Sequence, residues 1–278
     1  MIMKTIELNV PYEKMDIVPP TKKAELTCYL LDKEPRNSTM MKKRPAVVVC
    51  PGGAYYFVSP PEGEPIALKY AAAGFHVFVL NYSVDPTGWP AQAVEASMAV
   101  SYVRSIADEY GIDKEKVFIC GFSAGGHLAA SLCLYWNHPL IRELSGAKDR
   151  ENRPDGMILG YPVISGEDAI THKDTRRTFV GGRSENQLLF SLEKNVHPDV
   201  PPAFIWHTYT DAAVPVQNSL RFADALLTNN VNCELHIYPE GRHGLSLSNY
   251  IVAGDEEGKI SAVENWMDMS IRWILEQK

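Results

Sequence analysis

From residue 45 onward, short apolar stretches rich in β-branched residues alternate with stretches of helical pattern. The predicted strands of this region lie at residues 46–50, 75–81, 117–120, 157–161, 203–207 and 234–238. The predicted helices lie at about residues 65–73, 90–110, 124–135, 216–227 and 260–275. Because the strands lack the polar alternation of a sheet with one face in water, they are typical of a mainly parallel sheet with helices on both faces. The sequence therefore predicts an α/β fold whose functional residues follow the carboxyl ends of the strands.

The rest of the chain fits one domain around this sheet. With 278 residues, of which 45% are hydrophobic, the chain can bury one large core, and we predict a single domain over residues 1–278. Residues 1–44 contribute two further strands, at 5–10 and 24–31, and a polar surface loop. Residues 162–200 lack a clear strand–helix pattern, so they form either a small cap over the edge of the sheet or an ordinary surface insertion.

Charge and cysteine content exclude several classes of function. The formal net charge is −7, and the longest basic run is KKR at residues 42–44, which is typical of a solvated loop. We therefore expect no nucleic-acid or membrane partner. The five cysteines show no CxxC spacing, which argues against a disulfide framework or a zinc site. The N-terminal residues MIMKTIELNV lack the apolar core of a signal peptide, and no stretch has the length of a membrane span, so we expect a cytoplasmic location.

The stretch VFICGFSAGGHLAAS, at residues 117–131, places one serine at a predicted strand-to-helix turn. Gly121 and Gly125 lie two residues to either side of Ser123, so neighbouring backbone can approach closely. Such a turn strains the serine backbone and points its Oγ into a cleft, and the helix that follows turns its first N–H groups towards the same place. We interpret Ser123 as a nucleophile; the alternative is an ordinary turn with an incidental serine.

A serine hydroxyl needs an adjacent general base, and the chain has eight histidines. His243 lies just after the predicted strand at 234–238, in a glycine-flanked loop, and is our candidate. His127 lies four residues after Ser123 on the same predicted helix, so we expect it to be a structural, hydrogen-bonded residue. His207 ends a predicted strand and either lines the floor of the site or belongs to the core, which the pattern favours.

The base in turn needs a carboxylate that holds its tautomer and stabilises its charged form. Asp211 lies a few residues after the predicted strand at 203–207 and is our candidate for this acid. The simpler alternative for Asp211 is an aspartate at the start of a helix. Asp168 and Asp174 lie in the irregular region and are weaker candidates.

A tetrahedral intermediate needs backbone N–H groups close to its negatively charged oxygen. The first parallel strand ends in Pro51-Gly52-Gly53, where the glycines allow the backbone to turn its amides inwards. We predict an oxyanion hole formed by the N–H groups of Gly53 and Ala124, with Ala54 as a further donor. The alternative is that this stretch is only a turn.

The chain order Ser123, Asp211, His243 is the order of nucleophile, acid and histidine in α/β-hydrolases. The sequence resembles serine esterases of this superfamily, above all bacterial acetyl esterases and sugar-ester hydrolases related to acetyl-xylan esterases. The resemblance is carried by VVVCPGGAYYFVS (47–59), VFVLNYSV (77–84), GIDKEKVFICGFSAGGHLAA (111–130), LGYPVIS (159–165), PPAFIWHTYTDAAVPVQNS (201–219) and ELHIYPEGRHGLSL (234–247).

The sequence also departs from its relatives. Lipase-like members usually read HGGG, whereas here Pro51 stands in place of the histidine and Ala54 in place of the third glycine, which leaves the second oxyanion donor open. Only about 45 residues precede the first parallel strand, which is shorter than in relatives with an N-terminal cap. These departures favour small acyl groups over long acyl chains.

The resemblance implies hydrolysis of small acyl esters, above all acetyl esters, of a carbohydrate or a similar alcohol. It implies an acyl-enzyme mechanism without metal or organic cofactor, a small-molecule ester as partner, and a homodimer as in many relatives. Tyr55, Tyr56, Trp89 and Tyr209 would form apolar or sugar-stacking walls, although core or rim packing explains each of these aromatic residues better, since such residues are common at these positions in any fold. Two alternatives remain: a serine peptidase of the prolyl-oligopeptidase type, which usually carries a further large domain, and a non-catalytic binding protein, which usually lacks a triad residue.

Overall fold

The computed structural model describes residues 1–32 and 43–277. Most of the predicted surface loop before residue 44, with the first lysine of the KKR run, lies outside the described residues. In the described part, eight strands form one sheet in the order β1-β2-β4-β3-β5-β6-β7-β8. The strands are β1 (Ile2–Glu7), β2 (Glu25–Leu30), β3 (Arg44–Cys50), β4 (His76–Asn81), β5 (Ile112–Phe122), β6 (Gly156–Gly160), β7 (Ala203–Thr208) and β8 (Cys233–Tyr238).

The sheet is parallel over most of its width and antiparallel at one edge. β2 pairs antiparallel with both β1 and β4, whereas every other neighbouring pair is parallel. In the centre, Val48 on β3 lies opposite Phe78 on β4 and Ile119 on β5. The predicted α/β fold with a mainly parallel sheet is therefore confirmed. Because the six strands β3 to β8 run in one direction, their carboxyl ends lie at one edge of the sheet.

Helices connect the strands and cover both faces of the sheet. In the described residues they are α1 (Glu64–Ala72), α2 (Ala91–Ser105), α3 (Ala107–Tyr110), α4 (Ala124–Tyr135), α5 (Pro139–Ser145), α6 (Lys173–Val180), α7 (Asn186–Phe190), α8 (Gln217–Thr228), α9 (Ser261–Glu264) and α10 (Trp266–Glu276). The helix predicted at residues 90–110 is interrupted at Ile106, and the one predicted at 260–275 is interrupted at Asn265. Helices α6 and α7 lie in the region where the sequence showed no clear pattern.

Alternate residues of the central strands face two different apolar cores. On β3, Val47 and Val49 pack in the core that includes residues of α1 and α10. Ala46 and Val48 point the other way, into the larger core that includes residues of α2 and α4. Both faces of the strand are therefore buried, which is the physical reason for the missing polar alternation in the sequence.

Two further observations concern membrane segments and cysteines. Within residues 1–32 and 43–277, no helix combines the length and the apolar character that a bilayer crossing requires. All five cysteines are free thiols. Four of them are buried, and burial raises the pKa of the Cys28 thiol to about 11, so this thiol is neutral at ordinary pH.

Candidate active site

Loops at the carboxyl edge of the sheet bring together the residues that the sequence singled out. The β3 loop (residues 51–59) carries the two predicted glycines, and the turn after β5 carries Ser123. Asp211 follows β7, and His243 lies in the β8 loop (residues 239–248). The strands β3, β5, β6, β7 and β8 are consecutive neighbours in the sheet, so these loops lie side by side.

Ser123 lies on a strained turn between β5 and α4. Its backbone has φ 52° and ψ −119°, a conformation that residues other than glycine rarely adopt. A Cβ on Gly121 would lie 2.1 Å from the carbonyl oxygen of Gly125, and a Cβ on Gly125 would lie 2.1 Å from that of Cys50. The N–H of Ser123 donates to the carbonyl of Gly160 at 3.0 Å. Glycine is therefore required on both sides of the serine, and the turn is fixed to the end of β6.

Ser123, His243 and Asp211 form one hydrogen-bonded chain. The Oγ of Ser123 lies 2.8 Å from Nε2 of His243, and Nδ1 of His243 lies 2.6 Å from Oδ2 of Asp211. When Nδ1 carries the proton and donates it to the carboxylate, Nε2 is free to accept the serine proton. The three side chains are thus arranged as a nucleophile, a base and the acid that orients the base.

The Asp211 carboxylate is buried and held from two sides. Its Oδ1 accepts hydrogen bonds from the N–H groups of Ala213 and Val214, at 3.0 and 2.9 Å. Its Oδ2 lies 3.3 Å from Nε2 of His207, beside its bond to His243. Burial alone would raise the pKa of Asp211, but the hydrogen bonds from His207 and His243 and the charge of His243 hold it well below its usual range. Asp211 is therefore ionised at neutral pH.

The contact between His207 and Asp211 was not predicted from the sequence. His207 is fully buried at the end of β7, which confirms the core interpretation. Its Nε2 lies 2.9 Å from the carbonyl oxygen of Val214, and its Nδ1 lies 2.8 Å from the hydroxyl of Ser219. Because a carbonyl oxygen only accepts, Nε2 carries the proton and directs it towards Val214 and Asp211. The spacing of four residues between His207 and Asp211 is the one signal that the sequence offers for this contact.

The β3 loop passes directly beside the nucleophile. A Cβ on Gly52 would lie 3.0 Å from the Cβ of Ser123, so glycine allows this close approach. The loop continues with positive φ at Gly53 (123°) and Ala54 (55°). Among the described residues, the N–H groups of Gly53, Ala54 and Ala124 have no hydrogen-bond partner. The N–H of Gly52, in contrast, is bonded to a side chain. The three predicted donors are therefore available to an oxyanion, and Gly52 is not.

Two of the four aromatic residues predicted to form substrate walls belong to the core instead. Tyr55 is only 1% exposed and Trp89 only 5%. The hydroxyl of Tyr55 lies 3.0 Å from Nδ1 of His127, and the ring of Trp89 packs against Phe179 with the ring centroids 5.3 Å apart. For these two residues the prediction is wrong, because interior packing occupies the rings.

The other two aromatic residues lie at the surface of this edge. Tyr209 follows β7 directly and is 70% exposed. The hydroxyl of Tyr56 donates to Oδ1 of Asp174 at 3.4 Å, and the guanidinium of Arg177 lies 5.3 Å from the centroid of the same ring. Asp174 and Arg177 belong to α6. The region 162–200 therefore reaches the β3 loop.

The same region brings His172 near the base. His172 precedes α6 and caps it, because its Nδ1 accepts from the N–H of Thr175 at 3.3 Å. Burial lowers the pKa of His172, and the charge of His243 lowers it further, so the two rings are within electrostatic reach. Since Nδ1 accepts, Nε2 carries the proton of the neutral ring. His172 thus presents a neutral N–H donor within electrostatic reach of His243.

His127, the histidine closest to Ser123 in sequence, is a structural residue. Its Nδ1 lies 3.0 Å from the hydroxyl of Tyr55, and its Nε2 lies 3.1 Å from the carbonyl oxygen of Phe190. The imidazole also stacks on the ring of Phe190, with the centroids 4.4 Å apart. These contacts confirm the predicted structural role, and they connect α7 to α4, the helix that follows the nucleophile.

The burial of His127 predicts a loss of stability in mild acid. Burial lowers the pKa of His127 from 6.5 to about 4, and that of His76 likewise. Between these two values the unfolded chain binds protons that the folded chain does not, so the stabilisation is complete above pH 6.5 and decreases as the pH falls towards 4. We expect His127 alone to reduce the free energy of unfolding by about 2 kcal/mol between about pH 8 and 5, measured by urea unfolding. The variant His127→Gln should lose this contribution of about 2 kcal/mol, and an unchanged dependence of the free energy of unfolding on pH would contradict the prediction.

The chain order of Ser123, Asp211 and His243, together with their places at the carboxyl edge of a parallel sheet, is that of the α/β-hydrolase class. A family comparison narrows this class. The model of the BD-FAE family of α/β-hydrolases matches residues 35–226, which is more than half of the chain. The chain therefore belongs to the BD-FAE family.

Known proteins of similar sequence or structure agree with this assignment. The chain is 40% identical over 218 residues to endo-1,4-beta-xylanase B of Butyrivibrio fibrisolvens, a match that covers 74% of this chain and 33% of the xylanase. The crystal structure of the carboxylesterase Cest-2923 from Lactobacillus plantarum WCFS1 superimposes with a TM-score of 0.85 at 27% identity, covering 100% of this chain and 98% of the carboxylesterase. An acetyl ester-xyloside bifunctional hydrolase from Caldicellulosiruptor lactoaceticus gives a TM-score of 0.81 at 32% identity, covering 98% and 95% of the two chains. The chain spans less than half the length of the first curated relatives that it matches.

Proposed function

We propose that this chain is a serine carboxylic-ester hydrolase that cleaves small acyl esters, above all acetyl esters, of carbohydrates. The observation that carries the proposal is the hydrogen-bonded chain from Ser123 through His243 to Asp211. The similarity to an acetyl ester-xyloside hydrolase over almost the full length of both chains supports the choice of acetyl group and sugar.

In the first half of the reaction, Nε2 of His243 takes the proton of Ser123 as the serine oxygen attacks the ester carbonyl carbon. The carbonyl oxygen becomes an oxyanion, which accepts hydrogen bonds from the unpartnered N–H groups beside the serine. The ionised Asp211 stabilises the imidazolium of His243. His243 then returns the proton to the alcohol oxygen, the bond between this oxygen and the carbonyl carbon breaks, and the acyl group remains on Ser123.

The second half repeats the chemistry with water as the nucleophile. Nε2 of His243 accepts a proton from water while the water oxygen attacks the acyl carbon, and the same N–H groups bind the second oxyanion. The proton then passes to Oγ of Ser123 as the acyl–oxygen bond breaks. The products are the free acid and the regenerated serine, and the steps require no metal ion or organic cofactor.

Polar groups near the site support a hydroxyl-rich alcohol. His172 offers a donor nitrogen, because its other nitrogen is used to cap α6. Tyr56 and Arg177 stack at the edge of the β3 loop, where the tyrosine ring offers a flat apolar face beside charged groups. Such a mixture of aromatic faces and hydrogen-bonding groups suits a sugar better than a long apolar chain.

A series of p-nitrophenyl esters tests the acyl part of the proposal. We expect kcat/KM to be highest for the acetyl ester, lower for the butyryl ester and at least about tenfold lower for the octanoyl ester. A preference for octanoyl would contradict the small-acyl proposal.

The alcohol part is tested by release of acetate from acetylated xylo-oligosaccharides. An enzyme that is active on p-nitrophenyl acetate but releases no acetate from these sugars would contradict the carbohydrate proposal.

A further inference from the structure

A buried carboxylate, that of Glu62, lies behind the nucleophile and takes no part in the steps above. Glu62 is only 4% exposed and ends the short 3-10 helix Pro60–Glu62, which leads from the β3 loop to α1. A carboxylate in such a place is costly unless hydrogen-bond donors surround it. The identity of these donors therefore indicates what the residue does.

The two oxygens of Glu62 reach two different sides of the site. Oε2 accepts from the N–H of Gly52 at 2.7 Å, and Oε1 accepts from the hydroxyl of Tyr161 at 2.5 Å. The oxygen of Tyr161 in turn accepts from the N–H of Ser246 at 2.9 Å. A parallel link joins the same segments, because Oγ of Ser246 donates to the carbonyl of Pro61 at 2.6 Å. Glu62 and Tyr161 thus connect the β3 loop with the β8 loop.

Both ends of this connection lie next to reacting groups. Gly52 lies against Ser123 and precedes Gly53, whose N–H is a proposed oxyanion donor. At the other end, the ring of Tyr161 lies edge-on against the imidazole of His243, with the centroids 5.0 Å apart. A small change at Glu62 would therefore move the oxyanion donors and the base relative to each other, and displacements of about 1 Å at such groups can cost about 100-fold in rate.

We infer that Glu62 is a positioning residue of this site: it ties the β3 loop to the β8 loop through Tyr161. This inference rests on the proposed function and extends it to a residue that contacts neither the ester nor the reacting atoms.

The surroundings of Glu62 act on its pKa in opposite directions. Burial has the largest effect and raises the pKa of Glu62, whereas the hydrogen bonds from Tyr161 and Gly52 and the positive charge of His243 lower it. The two hydrogen-bond donors are the groups that connect Glu62 to the β8 loop and to the β3 loop.

Other titratable groups also face the two partners. Tyr82 and Cys120 face Glu62, and burial raises the pKa of both far above the usual range, so they stay neutral. Asp211 and His172 face His243 from other sides. Of these four groups only Asp211 carries a negative charge at neutral pH.

The test compares Glu62→Gln and Tyr161→Phe with the wild-type chain and with Glu64→Gln, a matched control on the exposed start of α1. The readout is the rate at which a fluorophosphonate labels Ser123 between about pH 5 and 9, because this reaction requires an activated serine but no particular ester. Circular dichroism and thermal unfolding show that each variant is folded. We expect both variants to react about 10- to 100-fold more slowly than wild type at neutral pH, and Glu64→Gln to react at the wild-type rate.

The split between kcat and KM separates a positioning role from a merely structural one. Displaced oxyanion donors and a displaced base slow the chemical step, so Glu62→Gln and Tyr161→Phe should lower kcat for p-nitrophenyl acetate about 10- to 100-fold and leave KM within about threefold of wild type. Folded Glu62→Gln and Tyr161→Phe variants with wild-type rates, or variants whose loss lies in KM alone, would overturn the inference. A wild-type chain that is not labelled at all would instead contradict the proposed function.

Discussion

Replacing Ser123 with alanine is expected to lower kcat/KM for p-nitrophenyl acetate by roughly 10⁵-fold or more. The alanine variant keeps the oxyanion donors and the base but has no oxygen that can form the acyl-enzyme. The fold should be unaffected, because within residues 1–32 and 43–277 the Ser123 side chain bonds only to His243, and its backbone keeps the bond to Gly160. The measurement is initial-rate hydrolysis by purified protein, with circular dichroism to show that the variant is folded.

A second serine provides the control for this experiment. Ser131 lies on α4, the helix that follows Ser123, and its Oγ is 3.4 Å from Nδ1 of the structural residue His127. The variant Ser131→Ala should keep kcat/KM within about threefold of wild type and lose only a small part of its stability. If Ser123→Ala keeps more than about a tenth of the wild-type activity, Ser123 is not the nucleophile.

Replacing Asp211 with asparagine is expected to lower kcat about 10⁴-fold with little effect on the fold. The amide oxygen of the asparagine will remain bonded to the N–H groups of Ala213 and Val214, as Oδ1 of Asp211 is now. Its NH₂ group then faces Nδ1 of His243, which must become an acceptor. The proton moves to Nε2, and His243 can no longer take the proton of Ser123.

The other acids of the sequence allow a matched comparison. Asp168, a weaker candidate from the sequence, is an exposed residue paired with Arg176 at 2.8 Å. The variant Asp168→Asn should have kcat within about twofold of wild type, because exposed ion pairs contribute little. A large loss in Asp168→Asn together with a small loss in Asp211→Asn would show that the acid is assigned to the wrong residue.

The fold and the triad candidates were accessible from the sequence because local patterns specify them. Apart from the edge strand β8, in which Glu234 and His236 alternate with apolar residues, each strand of the parallel region contains an apolar run, and the residue that matters follows the strand within a few positions. The glycines around Ser123 leave an equally local signal, since the tight turn has no room for a Cβ on either side. These features depend on residues that are close together in the chain.

The parts that the sequence did not predict depend on distant contacts. Tyr55 and Trp89 lie in loops that follow strands, and residues of a substrate wall lie in such loops too. Contacts with His127 and Phe179 nevertheless bury their side chains. The bond between Glu62 and Tyr161 joins residues that are 99 positions apart. Glu62 lies outside the stretches that carry the resemblance, and LGYPVIS, which contains Tyr161, gives no sign of its partner; only the fold brings the two residues together.

Covalent labelling with a fluorophosphonate tests directly whether Ser123 is an activated nucleophile, because the reagent reacts with serines that a base and an oxyanion hole activate. We expect one label per folded chain, located by mass spectrometry on the peptide that contains Ser123, and no label in the Ser123→Ala variant. Folded wild-type protein that takes up no label, or a label that is found on another residue, would contradict the assignment of Ser123 as the nucleophile.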